Sequence, residues 1–379
     1  MNQIKEFQVC TKCVLDSHDD PTMDFDIDGI CNYCHLYDEI MQKRFVFGKE
    51  GEAGLNRIVA EIKENGKGKE YDCIVGLSGG VDSTYVAWHA KKLGLRPLAV
   101  HLDNGWNSEL AVMNIQNILK KLDFDLYTYV INWAEFRDMQ RAYIIAGVVD
   151  IEALTDHAIS STLQRVAKQH DIHYVLSGES VETEGILPQS WIHNKSDHIN
   201  IKAIHKQFGT MEAPSFPYHS YWTKLFFGRF NTLKFVPILN YISYNKEEAK
   251  KIIIRDLSWR DYGGKHYESV FTRFYQSYIL PVKFKIDKRK SHYSALIGAN
   301  QISREDAINA LKEPIDSAER IAEDKEYIIK KLNFTEAEFD EIMKRPPANH
   351  LDFPSAIHIL NRYKKILWPL ISLIRKIKN

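Results

Sequence analysis

The chain has 379 residues, and 50 Lys and Arg balance 50 Asp and Glu, so its formal net charge is zero. Hydrophobic residues make up 44% and charged residues 26%, as in ordinary globular proteins, and this balance argues against a surface built to grip nucleic acid. The sequence has no apolar run of the roughly 20 residues that cross a bilayer and no signal peptide in its first residues, so we expect a cytoplasmic protein without stable membrane insertion and with no nucleic-acid partner.

Four of the five cysteines form two C-x2-C pairs near the start of the chain, CTKC and CNYC, 17 residues apart. This spacing is typical of structural zinc sites in a reducing compartment. The residues between the pairs are rich in turn formers and acids, so this segment buries too little apolar surface to fold without a metal. A closed four-thiolate site leaves no coordination position for a substrate, which favours a structural zinc. The predicted ligands, in a module over residues 1–47, are Cys10, Cys13, Cys31 and Cys34.

A calcium loop is the alternative for the acidic residues between the two cysteine pairs. The run Asp24-x-Asp26-x-Asp28-Gly29 meets only part of the calcium-loop pattern and lacks its glutamate. We therefore prefer zinc. The fifth cysteine, Cys73, lies in an apolar run and is predicted to be a small core residue.

Beyond the module, GKEGEAG (48–54) predicts a linker and residues 56–68 a short helix that ends at glycine. Strand-like and helix-like segments then alternate, which predicts right-handed βαβ units in a doubly wound parallel α/β sheet over residues 55–240. A mostly helical region for substrate or partner follows at 241–379. The predicted strands with their exit loops are 73–77, 96–105, 126–131 and 173–180, and the predicted helices are 83–94, 108–122 and 156–170.

Three polar loops follow predicted strands, at the sheet edge where ligands of such folds bind. They are SGGVDS (78–83), LDNGW (102–106) and SGES (177–180), here called loop 1, loop 2 and loop 3. The glycines of loop 1 precede a helix N-terminus, where backbone N–H groups and the helix dipole favour an anion such as phosphate.

Loop 1 is neither of the common phosphate-binding patterns. No lysine follows its glycines, as G-x-x-x-x-G-K-[ST] requires, and the G-x-G-x-x-G pattern is absent. A carboxylate beside phosphate is repulsive unless a divalent cation lies between them, so Asp82 is a candidate magnesium ligand. An ordinary strand-to-helix turn capped by Asp or Ser is the alternative.

Loop 1 resembles the PP-loop of the ATP pyrophosphatase superfamily, which includes GMP synthetase, NAD synthetase and asparagine synthetase B. The resemblance implies that the loop holds the β,γ-pyrophosphate of ATP while a substrate oxygen attacks the α-phosphate. LDNG resembles the adenosine-binding loop of that superfamily, and VLSGES resembles VLSGEG of asparagine synthetase, with Ser180 in place of the second glycine. The implied ligands of pyrophosphate and magnesium are Ser78, Gly79, Gly80, Asp82 and Ser83; Asp103 is implied near the nucleoside, and Gly178 and Glu179 in the active site.

The cysteine module, the PP-loop domain and WRDYGGKHYES, which opens the segment 259–297, together resemble the N-acetyl sugar amidotransferase family over most of the chain. These enzymes act in the biosynthesis of bacterial surface sugars such as O-antigens. The implied reaction converts the acetamido group of a nucleotide-linked N-acetyl sugar to an acetamidino group through an O-adenylated imidate. The implied cofactors are ATP, Mg²⁺ and a structural Zn²⁺. The sequence has neither a cysteine at position 2 nor a G-x-C-x-G elbow, so we expect ammonia from solution or from a separate glutaminase partner, and the resemblance implies the partner.

Further cations and acids are candidates for the same site. Lys265 follows two glycines in a loop that could close over the phosphates, so we predict a catalytic role for it, with a solvated loop lysine as the alternative. The run DKRKSH (287–292) supplies Lys288, Arg289 and Lys290 for a diphosphate or for ATP, with an exposed charge run as the alternative. Glu179 is predicted to take a proton from ammonium or to bind magnesium.

Two other functions compete with the amidotransferase. A PP-loop tRNA-modifying enzyme, either a thiolase or a lysidine-type ligase, also fits, since some thiolases pair an N-terminal zinc module with a PP-loop. Only Cys73 is left outside the predicted zinc site, which argues against sulfur transfer, and the neutral charge argues against tRNA. A nucleotide-binding adaptor that docks a partner through its zinc module is the non-enzymatic alternative.

Overall fold

A parallel five-stranded sheet lies at the centre of the protein, with strand order β3-β2-β1-β4-β5. The computed structural model describes residues 6–46, 48–222, 233–264 and 267–364. The order and parallel pairing of these strands confirm the predicted doubly wound sheet. The strands are β1 (Cys73–Gly76), β2 (Pro97–Asp103), β3 (Leu126–Val130), β4 (Tyr174–Ser177) and β5 (Lys234–Pro237).

Helices surround the sheet and form most of the described C-terminal part. Before residue 260 they are α1 (Asn32–Arg44), α2 (Gly48–Asn65), α3 (Val81–Lys92), α4 (Glu109–Leu122), α5 (Trp133–Ala146), α6 (Ala153–Gln169), α7 (Val181–Glu184), α8 (His198–Phe208) and α9 (Lys246–Leu257). The C-terminal part contains α10 (Val270–Phe274), a π-helical segment (Tyr275–Phe284), α11 (Lys288–Gly298), α12 (Arg304–Lys312), α13 (Ala318–Lys331), α14 (Glu336–Lys344) and α15 (Ala356–Arg362). Short 3₁₀ turns lie at Gln189–Trp191, Ile238–Tyr241 and His350–Asp352.

The central strand β1 is covered on both faces, which explains its continuous apolar sequence. Cys73 and Val75 belong to one apolar cluster with residues of α3 and α4. Ile74, on the opposite face, packs in a second cluster with residues of α6. Cys73 is fully buried, as the sequence predicts.

The chain order of the strands fixes where a ligand crevice forms. The chain runs outward from β1 to β2 and β3, and then returns to place β4 on the other side of β1. In doubly wound sheets the crevice opens at the carboxyl ends of the two strands that flank this reversal. Here those strands are β1 and β4, which end in loop 1 and loop 3.

The predicted linker 48–54 is wrong, because these residues form the first turns of α2 (Gly48–Asn65). Gly51 within this stretch serves close packing rather than flexibility. A β-carbon on Gly51 would lie 2.2 Å from the Val46 carbonyl oxygen and 2.7 Å from that of Tyr241. Helix α5 and strand β5 were not predicted from the sequence.

The cysteine module and the C-terminal helices share one apolar core. Leu15 and Tyr37 of the module belong to the same buried cluster as Phe274 of α10 and Ala295 of α11. In the part of the chain that the structure describes, no helix combines the length and apolarity needed to cross a membrane.

Candidate active site and metal centre

Loop 1 joins β1 to the N-terminus of α3. Gly80, the residue that precedes α3, has no side chain to cap the helix. Apart from the Val81 N–H, which donates to the Tyr262 hydroxyl, the start of the helix suits an anion. Gly79 has φ +82°, and a β-carbon there would lie 2.7 Å from the Ala111 carbonyl oxygen. Only glycine fits at this position, as a loop that presents its backbone to a ligand requires.

The two serines of loop 1 hold its shape. The hydroxyl oxygens of Ser78 and Ser83 lie 3.1 Å apart, and the Gly80 N–H donates to Ser78 Oγ at 3.2 Å. Thr84 Oγ1 donates to the Gly80 carbonyl at 2.6 Å. The loop is therefore a closed turn with both predicted serine hydroxyls on its inner side.

Asp82 is held by a tyrosine that the sequence analysis did not select. The Tyr244 hydroxyl donates to Asp82 Oδ1. Burial of the Tyr244 ring, together with the nearby carboxylate, raises the pKa of this hydroxyl well above its usual value. Tyr244 therefore stays neutral and donates its proton, and this hydrogen bond fixes the position of Asp82 Oδ1.

Loop 2 lies beside loop 1 because β2 pairs with β1. Asp103 ends β2, and its Oδ1 accepts the Gly105 N–H at 2.9 Å. His101 links the two loops: its Nδ1 donates to the Leu77 carbonyl at 2.8 Å, and its Nε2 accepts from Asn107 Nδ2 at 3.0 Å. This bridging histidine, buried within β2, was missed by the sequence analysis.

Loop 3 packs directly on loop 1. A β-carbon on Gly178 would lie 3.3 Å from Asp82 Cβ and 3.3 Å from the Ser83 nitrogen. Glu179 is exposed, and its N–H donates to Ser177 Oγ at 3.1 Å. Ser180 has φ −130°, an extended conformation that any residue adopts, so the serine in place of glycine leaves the loop unstrained.

The segment 259–270 crosses loops 1 and 2. Trp259 Nε1 donates to the Gly79 carbonyl at 2.9 Å, and the Tyr262 hydroxyl accepts the Val81 N–H at 3.3 Å. The Glu268 carbonyl accepts the Ser108 N–H at 2.8 Å. Lys265, predicted to be catalytic, lies outside the described residues. The described parts of this segment thus hold the backbone of loop 1.

A cavity of about 1720 Å³ opens beside these loops. Gly178 and Glu179 of loop 3 line it, and so do Lys288 and Arg289 of α11. Arg289 already has protein partners: its Nη2 donates to Asp287 Oδ2 at 2.8 Å and its Nη1 to the Glu313 carbonyl at 2.9 Å. Lys288 and Arg289 thus lie at the cavity together with Ser291 and His292, and their role toward a phosphate stays a prediction.

The four predicted zinc ligands form one buried cluster, and all four sulfur atoms lie within 4.8 Å of one another. The Sγ atoms of Cys10 and Cys34 are 3.9 Å apart, and those of Cys13 and Cys31 are 3.8 Å apart. A disulfide would need a separation of about 2.05 Å. A zinc tetrahedron with Zn–S bonds of about 2.3 Å has edges of about 3.8 Å. The cluster therefore fits a structural zinc ion.

The module is anchored to the C-terminal helices through polar contacts. Arg304 of α12 donates to the carbonyls of Cys13 and Cys10, each at 2.9 Å. Lys290 of α11 bonds Asp16 Oδ2 at 2.5 Å and Asp19 Oδ2 at 2.9 Å. Lys290, which the sequence analysis grouped with the cations for a phosphate, thus serves to dock the module.

The comparisons with known proteins agree with the C-terminal part of the sequence interpretation. Residues 268–367 match the family model described as LPS biosynthesis protein WbpG-like, C-terminal domain. The match covers about a quarter of the chain and confirms, for this region, the predicted relationship to proteins of bacterial surface-glycan biosynthesis. No curated protein matches the chain.

Solved structures with a similar fold include three synthetases. NMN synthetase from Francisella tularensis is 21% identical with TM-score 0.29, over 38% of this chain and 59% of its own. The NH3-dependent NAD synthetase from Campylobacter jejuni is 14% identical with TM-score 0.33, over 82% of this chain and 98% of its own. The glutamine-dependent NAD+ synthetase from Acinetobacter baumannii is 14% identical with TM-score 0.30, over 76% of this chain and 47% of its own. The chain thus spans 59% of the length of the NMN synthetase and 47% of the length of the glutamine-dependent NAD+ synthetase.

Proposed function

We propose that the protein is an ATP-dependent amidotransferase that converts the acetamido group of a nucleotide-linked N-acetyl sugar to an acetamidino group. The carrying observation is the contact of Gly178 with Asp82 and Ser83. It joins the open helix N-terminus of loop 1, suited to phosphate, to a loop that lines a cavity large enough for a second substrate. The WbpG-like match over residues 268–367 supports a role in surface-glycan biosynthesis.

The chemistry explains why such a reaction needs ATP. An amide carbonyl is a poor electrophile, because its oxygen is a very bad leaving group. Attack of this oxygen on the α-phosphorus of ATP expels pyrophosphate and forms an O-adenylated imidate. Ammonia then adds to the activated carbon, a proton is lost, and AMP departs with the former amide oxygen. The protein contributes mainly by positioning the two substrates and neutralising charge.

Loop 1 has the groups to receive the pyrophosphate of ATP. Its contribution is the open N-terminus of α3, the close backbone approach at Gly79 and Gly80, and the paired hydroxyls of Ser78 and Ser83. Asp82 would hold a magnesium ion, which supplies countercharge to the phosphates when it is bound. Asp103 of loop 2, next to loop 1 on the sheet, is assigned to the nucleoside.

The acceptor sugar is assigned to the cavity beside loop 3. Lys288 and Arg289 line it and give it cationic character for a diphosphate. Glu179 is exposed on the same wall, where it can take a proton from ammonium. A separate glutaminase would supply the ammonia, and Lys265 is assigned to the phosphates.

The decisive experiment supplies ATP, magnesium, ammonium and a UDP-N-acetyl sugar to the purified protein. We expect AMP and pyrophosphate in equal amounts, together with a sugar product in which NH replaces one oxygen, identified by mass spectrometry. ADP formation, or AMP that appears only when tRNA is added, would contradict the proposal. Omission of ammonium is the control, because it should abolish the amidine product.

A further inference from the structure

A lysine from the C-terminal part lies in an aromatic cage beside loop 2. Lys331, the last residue of α13, has its Nζ 4.7 Å from the ring centroid of Trp106 and 5.1 Å from those of Trp133 and Tyr327. The same ammonium donates to the Gly105 carbonyl and, at 2.8 Å, to the Tyr327 hydroxyl. A cation beside three aromatic rings with two hydrogen bonds is firmly held.

The residues that Lys331 contacts are the end of loop 2. Gly105 has φ +79°, and a β-carbon there would be 3.0 Å from the Trp133 ring. Trp106 is 1% exposed, and its Nε1 donates to Gln140 Oε1 at 2.7 Å. The ammonium of Lys331 therefore holds the Gly105 carbonyl beside the buried Trp106 ring.

A second contact comes from the same C-terminal region. The Val270 N–H donates to the Trp106 carbonyl at 2.9 Å, and Asn107 pairs with Ser269 in an antiparallel bridge. Ser269, Val270 and Lys331 all lie within 268–367, the range of the WbpG-like match. This region thus holds loop 2 by main-chain pairing on one side and by a cation on the other.

A shift of Gly105 would be transmitted to the residues that face loop 1. The Gly105 N–H bonds Asp103 Oδ1, and Asn107 bonds His101, whose other ring nitrogen bonds Leu77. Each of these contacts is a single hydrogen bond across a short loop. The cage is therefore linked to the Asp103 carboxylate through Gly105.

We propose that Lys331 is a positioning residue for the nucleoside of ATP, so that the C-terminal WbpG-like region completes the nucleotide site. This inference rests on the proposed function, in which loop 2 takes the nucleoside. Loss of the cation leaves the Gly105 carbonyl without its lysine donor and frees loop 2 to shift. ATP binding is then weakened, whereas the cavity assigned to the sugar, on the other side of loop 1, is unaffected.

The test compares Lys331→Met with Lys331→Arg and with Lys330→Met, a matched control at the exposed neighbouring position on α13. Affinity for a magnesium complex of a non-hydrolysable ATP analogue is measured by calorimetry, and KM for ATP and for the sugar are measured separately. We expect Lys331→Met to weaken analogue binding about tenfold, since both a cation–π contact and a charged hydrogen bond are lost. KM for the sugar should not change, Lys331→Arg should restore most of the affinity, and Lys330→Met should match the unaltered protein.

Unchanged analogue affinity in Lys331→Met, or an equal rise in both KM values, would overturn the inference. If Lys331→Met fails to fold, Tyr327→Phe removes only the hydroxyl that accepts from the ammonium and should weaken analogue binding by a smaller factor. The two proposals can fail separately. Analogue binding that depends on Lys331, without any amidine product from the unaltered protein, would support the positioning role of Lys331 and contradict the amidotransferase. Absence of analogue binding to the unaltered protein would overturn both proposals.

Discussion

Gly178 and Asp82 lie in backbone-to-side-chain contact, so that a β-carbon on Gly178 would be 3.3 Å from Asp82 Cβ and 3.3 Å from the Asp82 carbonyl carbon. The two residues come from loops that end adjacent strands, β4 and β1. The contact sets the spacing between the phosphate-type turn of loop 1 and the cavity wall formed by loop 3. A side chain at position 178 would therefore require loops 1 and 3 to move apart by a few tenths of an ångström.

We expect Gly178→Ala to lower AMP formation at least tenfold while the protein stays folded. The added methyl group must push the loops apart by a few tenths of an ångström, and misplacement on this scale disturbs the alignment of two substrates. Steady-state AMP release, compared with the melting temperature, checks this expectation.

Gly54→Ala is the matched control for that substitution. Gly54 lies inside α2, and a β-carbon there would meet only the Tyr241 ring at 3.4 Å, an ordinary contact. Alanine in a helix interior should raise stability slightly, by up to about 1 kcal/mol, and leave activity unchanged. Equal loss of activity in both variants would show that the spacing of the loops is not the cause.

A second prediction concerns Asp82 and the tyrosine that holds it. Asp82→Ala should reduce AMP formation by a factor of about 100 or more, because the countercharge for the phosphates is lost. Tyr244→Phe removes only the hydroxyl that donates to Asp82 Oδ1. Its effect should therefore be milder and should take the form of an altered magnesium dependence.

The measurement is AMP formation as a function of magnesium concentration in both variants. A raised magnesium requirement in Tyr244→Phe, with a near-normal rate at saturation, is the expected result. If Asp82→Ala retains full activity at any magnesium concentration, the assignment of Asp82 to the metal is wrong.

A third prediction tests the cysteine cluster. Cys31→Ser should reduce the zinc content from one ion per chain and should expose the module to limited proteolysis, because structural zinc supplies folding free energy. Zinc is measured by atomic emission. Cys73→Ser is the control. Cys73 is fully buried in β1 and apart from the cluster, so the zinc content of the Cys73→Ser protein should stay unchanged. Normal zinc content in Cys31→Ser would contradict the assignment.

The fold was predictable where hydrophobic periodicity, turn residues and cysteine spacing indicate the elements. The alternation of strands and helices from residue 73 gave the parallel sheet, and the paired cysteines gave the buried cluster. The linker at 48–54 was mispredicted because glycine has two uses, flexibility and close approach, and only the packing of Gly51 on Val46 distinguishes them. The edge strand β5 buries only Val236, so it lacks the continuous apolar run that identifies β1.

The candidate site was predictable only in its loops. Local spacing placed Ser78–Ser83 and Gly178 at the sheet edge, since each follows a strand. Tyr244, Trp259 and Lys331 come from distant parts of the chain, and no sequence signal connects them to these loops. A tryptophan or lysine on a helix is ordinarily a packing or surface residue, so tertiary contacts alone identify their partners.

The last prediction concerns pH and two buried histidines. Burial lowers the pKa of His350 and of His157 from 6.5 to about 3. Each is neutral in the fold: His350 accepts the Asp150 N–H at 3.2 Å through Nε2 and donates to Asn200 Oδ1 at 2.9 Å through Nδ1. Above pH 6.5 both states are neutral and the stability is complete. As the pH falls below this value the unfolded chain takes up the protons, so each histidine lowers the free energy of unfolding by about 1.4 kcal/mol per pH unit, until the pH reaches the folded-state pKa.

Glu152 acts in the opposite sense, because burial raises its pKa to about 7. The folded state then binds this proton more tightly, and the stability it contributes is lost as the pH rises through 7. A pH profile of the unaltered protein therefore mixes opposing effects, and a variant is needed to isolate one of them.

His350→Gln keeps a donor and an acceptor at that position but has no proton to titrate. Denaturant unfolding between about pH 6 and pH 5, above the range of ordinary carboxylates, should give a slope shallower in His350→Gln by up to about 1.4 kcal/mol per pH unit. Parallel slopes in the two proteins would show that folding does not lower the pKa of His350, because the dependence requires the unfolded chain to bind more protons than the folded one.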